Sequence, residues 1–83
     1  MAAATKLDFA TLRKQLTLPI ITIYRHPKDY PEGYVGRVFD LNQPTMLSWR
    51  GDTLTQVRDR VPPEMHRIPR SDNDDPVIVE SWI

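Results

Sequence analysis

YVGRVFDLNQPTMLSWRGDTLTQVRDRV, residues 34–61, is the stretch from which the fold follows. It reads as strand, short loop, strand, tight turn and capped helix. Along Tyr34 to Leu41 the side chains alternate, so Val35, Phe39 and Leu41 share one face and Tyr34, Gly36, Val38 and Asp40 the other, with Arg37 interrupting the first. Asn42-Gln43-Pro44 is a turn, and Thr45 to Trp49 returns as a strand. Arg50-Gly51-Asp52 then turns the chain into a helix. Thr53 and Gln56 have the spacing of a capping box, and Leu54, Val57 and Val61 form its apolar stripe. Pro62-Pro63 ends it, because the residue before a proline is driven out of the helical region.

The flanks complete a small domain. Phe9, Leu12 and Leu16, three and four residues apart, predict a short helix between Leu7 and Leu18. Asp8 lies in its first turn, Arg13 and Lys14 near its end, and Thr17 and Pro19 stop it. A helix of that length is marginal alone and has to dock. Ile20 to Tyr24 is β-branched and aromatic, hence a strand. His26 to Gly33 holds two prolines and a glycine and is a hairpin loop. After the second helix a loop runs to Asp75, with Met65 and Ile68 expected on the core, and Val77 to Ile83 is a final strand. The succession α-β-β-β-α-β predicts a two-layer α+β domain spanning 7–83, behind a frayed 1–6. Its connectivity leaves room for the last strand to lie parallel to another.

Composition narrows function. Eighty-three residues form one modest core. Eleven basic side chains balance eleven acidic ones, whereas a nucleic-acid binder commonly carries a basic excess. With no cysteine there is no disulfide, thiolate metal site or cysteine nucleophile. No apolar run approaches the roughly 18 residues of a membrane span, and MAAATKLDF lacks the pattern of a secretory signal. The expectation is a soluble cytoplasmic protein.

Gly33-Tyr34-Val35-Gly36-Arg37-Val38-Phe39-Asp40-Leu41 and Gly51-Asp52-Thr53-Leu54 resemble, in order and spacing, the strand and helix-opening motifs of the HicB antitoxin family. The resemblance covers about 20–61 plus the last strand, and implies a reduced RNase H-like domain that inhibits a small toxin ribonuclease. The chain departs from that family in having no proline before Asp40, in Asn42-Gln43 where Pro-Gly is usual, and in a helix that ends early at Pro62. Up to Ile83 no DNA-binding segment of the family kind is read, so operator binding of that kind is not expected.

Sites for chemistry are few. His26 and His66 are the only histidines, without His-x-x-His spacing, and are expected to be exposed loop residues. Ser71-Asp72-Asn73-Asp74-Asp75 offers oxygens to a hard cation but lacks the glycine and closing glutamate of an EF-hand loop. It is expected to be a solvated turn. Asp40 alone does not supply the gathered carboxylates of RNase H-type catalysis. No catalytic residue, metal ligand or cofactor site is expected, and the protein is not expected to be an enzyme.

Binding is the remaining class. Trp49 and Trp82 are assigned to the core, whereas Tyr30 in the loop is suited to recognition. The expected function is a protein-binding module using a sheet edge or the loop Pro27–Gly33, with His26, Lys28, Tyr30 and Tyr34 as contacts. A second expectation is a nucleic-acid-binding accessory protein using Arg58, Arg60, Arg67 and Arg70, a cluster interrupted by Asp59, Glu64 and Asp72. A third is a homodimer.

Overall fold

The computed structural model describes residues 6–83. Its elements are α1 (Phe9–Gln15), β1 (Pro19–Arg25), β2 (Tyr34–Asp40), β3 (Gln43–Gly51), α2 (Leu54–Arg58), β4 (Arg67–Pro69) and β5 (Ile78–Trp82). The five strands form one sheet in the order β3-β2-β1-β5-β4, antiparallel throughout. The domain is α+β, with β1, β2 and β3 as the expected run of hairpin-joined strands.

One face of the sheet carries the core. Register places Ile21 opposite Val38 and Trp82, and Ile23 opposite Gly36 and Glu80. Ile21, Ile23 and Val38 are fully buried beneath Leu12 of α1 and Val57 of α2, joined by Trp49, Val61 and Met65. Gly36 is set by Trp49: a Cβ there would lie 2.4 Å from the indole ring. The ring occupies that space, and its Nε1 donates to the Val57 carbonyl at 3.0 Å, tying β3 to α2. Trp82 is half-buried and packs against the same cluster.

The second helix begins as its sequence suggests. Thr53 accepts from the Gln56 amide at 3.2 Å, and Gln56 Oε1 accepts from the Asp52 amide at 2.7 Å, which closes the capping box one residue early. α1 is shorter than the expected 7–18. Asp8 is its extended N-cap and not a first-turn residue, and Leu16 is already extended as the chain turns toward Pro19. The Thr11 hydroxyl bonds the Asp8 carboxylate at 2.5 Å and holds its pKa below the ordinary value. The fraying expected of 1–6 falls, for its first five residues, outside the described residues. Lys6 itself donates to the carbonyls of Asp59 at 3.0 Å and Val61 at 3.4 Å.

The strands differ from the sequence expectation at the β2–β3 turn and at β4, and they settle the direction of the last strand, which the sequence left open. The β2–β3 connection is a two-residue hairpin, Leu41-Asn42, so β3 begins at Gln43 and includes Pro44. Proline is tolerated there because β3 is an edge strand. Leu41 takes φ 57°, the left-handed value that a tight hairpin imposes on its first loop residue. Arg67–Pro69, expected to be loop, is the edge strand β4, and Ile68 is exposed on it whereas Met65 is buried as expected. β5 runs antiparallel to both neighbours, so the connection from α2 is a return and not a parallel crossover.

Candidate functional site: a free sheet edge and a locked carboxylate

β3 forms one edge of the sheet, and its middle is irregular. Arg37 pairs with Ser48 and Phe39 with Pro44, so Val38 alone faces Thr45, Met46 and Leu47. The Thr45 hydroxyl fills the gap in the ladder, donating to the Val38 carbonyl at 2.7 Å and accepting from the Leu47 amide at 3.1 Å. This three-against-one bulge turns Met46 outward until it is 98% exposed, with Leu47 at 43%. Leu18 and Leu41, also exposed, stand at the same end of the sheet, where the Leu41 amide donates to the Leu18 carbonyl at 2.9 Å. Asp40 closes that corner by accepting from the Leu18 amide at 2.9 Å.

The other end of β3 meets the β1–β2 loop. Tyr30 lies beneath Arg50, whose guanidinium carbon is 5.1 Å from the ring centre, and its hydroxyl donates to Asp52 Oδ1 at 3.2 Å. Burial, followed by the bond to Asp52, holds the Tyr30 hydroxyl's pKa above its ordinary value. Gly33 is fixed by the same contact: a Cβ there would fall 2.4 Å from the Gly51 carbonyl oxygen and 2.6 Å from the Tyr30 ring. His26, with φ 49°, places Nδ1 2.7 Å from the Pro31 carbonyl and stacks obliquely 5.5 Å from Tyr34. Of the expected partner contacts, His26 and Tyr30 are therefore parts of a braced loop beside the β3 end, and Tyr34 opens β2 next to it. Lys28 projects elsewhere, toward the helix-free face.

The arginines expected to form a patch do not gather as one. Arg58 grips Glu80 with two nitrogens, Nε to Oε2 at 2.8 Å and Nη2 to Oε1 at 2.5 Å, while Arg67 Nε reaches Oε1 at 2.8 Å. The Trp82 indole adds a fourth bond to Oε2 at 2.8 Å. Glu80 is fully buried. Burial alone would raise its pKa, but bonds from Arg58, Arg67 and Trp82 outweigh it and hold the carboxyl at about 2. Arg60 lies over Trp49 at 5.8 Å with its Nε buried and unpartnered among the described residues, and Arg70 bonds the Asp74 carbonyl at 3.2 Å.

The sequence singled out the cations but missed Glu80. Its signal was parity: Glu80 and Trp82 are two apart in a strand, so assigning Trp82 to the core puts Glu80 on the same face.

Ser71–Asp75 closes on itself. The Ser71 amide donates to Asp74 Oδ2 at 2.8 Å, and the Val77 amide to Asp75 Oδ1 at 3.1 Å. Among the described residues no three histidine or acidic side chains converge as a metal site would require. No helix among them is long and apolar enough to cross a membrane. Comparisons with protein-family models, with curated proteins and with solved structures each found no match.

Proposed function

We propose that this chain is a small, non-catalytic protein-binding module that takes an extended segment of a partner along the free edge of β3. The carrying observation is the nine-residue edge strand with Met46 98% exposed beside it. An edge strand presents unpaired amides and carbonyls that another chain can complete, and apolar side chains at the rim add affinity. The braced loop at the strand's other end, with Tyr30 and Arg50, extends the same edge with residue types favoured as interface anchors.

The resemblance at Gly33–Leu41 and Gly51–Leu54 suggests a partner: a small toxin ribonuclease, inhibited by occlusion in a bacterial or phage cytoplasm. The nucleic-acid alternative is weakened by the commitment of Arg58 and Arg67 to Glu80.

The test is an affinity pull-down of the tagged chain from its source lysate, with nuclease and at high salt, beside a Met46→Asp/Leu47→Asp variant. The expected result is one stoichiometric, nuclease-resistant protein that the variant loses. Retention of that protein by the variant contradicts edge binding. Recovery of nucleic acid alone, released by salt, moves the function to the Arg58–Arg70 region. Self-association with no other partner makes the chain a homodimer.

A further inference from the structure

The helix-free face of the sheet carries a cleft of about 400 Å³ that the edge-binding role does not use. Its floor is the cross-strand pair Tyr24 and Val35, and its apolar walls are Pro27 from the loop and Val77 ahead of β5. That volume lies toward the small end of the roughly 300–1,000 Å³ typical of small-molecule sites.

Four charges line the same cleft: Lys28 and Arg37, Asp29 and Asp75. Among the described residues none of the four is in an ion pair, the ion pairs there being those of Glu80. Among the described residues Arg37, Lys28 and Asp29 also make no side-chain hydrogen bond, while Asp75 uses Oδ1 to hold the Val77 amide at 3.1 Å. Both signs reach the aromatic floor. Burial holds the Tyr24 hydroxyl's pKa above its ordinary value, Arg37 pulls it down, and Asp75 pushes it up.

Two cations and two anions around an apolar floor discriminate between ligand classes. A simple anion meets Lys28 and Arg37 but also faces two carboxylates. A simple cation meets the converse. A ligand with separated opposite charges satisfies both pairs, and an apolar body then covers Tyr24 and Val35. We propose that this cleft binds a small zwitterion with an apolar body, the chemistry of a free α-amino acid with an aromatic or aliphatic side chain. The ammonium would face Asp29 and Asp75, the carboxylate Arg37 and Lys28, and an aromatic side chain would stack on the Tyr24 ring in an offset arrangement.

The experiment is titration of the full chain with L-phenylalanine, followed by amide chemical shifts in a proton–nitrogen correlation spectrum. Parallel titrations use 2-phenylethylamine, which lacks the carboxylate, and 3-phenylpropanoate, which lacks the ammonium. The proposal expects saturable millimolar shifts centred on Tyr24, Val35, Arg37 and Val77. Removing either charge weakens binding by about tenfold or more, as for a lost charge-assisted bond. Arg37→Gln and Asp75→Asn are expected to do the same, and the asparagine retains an oxygen for the Val77 amide. Unchanged shifts elsewhere in the two variants establish that they fold. The proposal is overturned if no saturable shift appears at these residues, if either singly charged analogue binds as tightly as phenylalanine, or if Arg37→Gln leaves the affinity unchanged.

Discussion

Replacing Glu80 by glutamine keeps the side chain's size and removes its charge, so it isolates the worth of the buried carboxylate. Four donors converge on that group, three from arginines and one from Trp82. Its pKa falls from an ordinary 4.5 to about 2 in the folded chain. A carboxyl with a depressed folded pKa contributes stability that is complete above 4.5 and lost as pH falls through about 2. A difference of that size corresponds to about 3 kcal/mol. An independent expectation agrees, since breaking a buried ion pair costs about 3–5 kcal/mol. The lower end applies because the Arg58 and Arg67 side chains are 37% and 46% exposed and can rehydrate. At about 0.05–0.15 kcal/mol per residue, a chain of this length is stable by about 4–12 kcal/mol, so the variant still folds. Urea denaturation followed by circular dichroism at pH 7 should show the loss, with a melting temperature lower by about 10–25 °C. As pH falls from 4.5 toward 2, the wild-type curve should descend onto that of the glutamine variant. A variant within about 1 kcal/mol of wild type at pH 7, with an unchanged acid profile, refutes this account of the carboxylate.

Trp49→Phe keeps most of the ring but leaves the buried Val57 carbonyl with only the Arg60 amide at 3.4 Å in place of two donors, and urea unfolding should show a loss of about 1 kcal/mol. Gly36→Ala drives a methyl group to 2.4 Å from the Trp49 ring; about 1–3 kcal/mol should be lost, with a shift in tryptophan emission as the indole is displaced. Thr53→Ala removes the acceptor for the Gln56 amide and should cost about 1 kcal/mol in the same assay. Leu41→Gly should raise stability by up to about 1 kcal/mol, because Leu41 is 50% exposed and held at φ 57°.

The elements legible in the sequence were those whose local chemistry and tertiary role agree. Ile20 to Tyr24 is β-branched and aromatic and became β1, and Thr53 with Gln56 announced α2 through bonds that form within one turn. β4 was illegible because its strand character is not local. Arg67-Ile68-Pro69 has a proline and only three residues, and it exists by pairing with β5 while Arg67 reaches Glu80. The start of β3 was hidden for the same reason, since Asn42-Gln43-Pro44 looks like a turn unless the edge position excuses the proline.

The candidate site divides in the same way. Exposure of His26 and Lys28 in a proline-rich loop is written in the sequence, but the partial burial of Tyr30 and its bracing by Arg50 and Asp52 depend on the β2–β3 pairing. The arginines could be counted from the sequence, yet their use could not, because Glu80 lies 22 residues from Arg58 and 13 from Arg67. The outward thrust of Met46 likewise arises from a bulge that no residue in Thr45–Leu47 signals alone.

Binding along β3 is tested most directly by amide hydrogen exchange across the chain, alone and with the protein recovered in the pull-down. If a partner strand completes the sheet, the outward-facing amides of Gln43–Gly51 become strongly protected while those of Arg67–Pro69 at the opposite edge do not. Protection confined to 58–70, or none along β3 in a complex known to have formed, contradicts it.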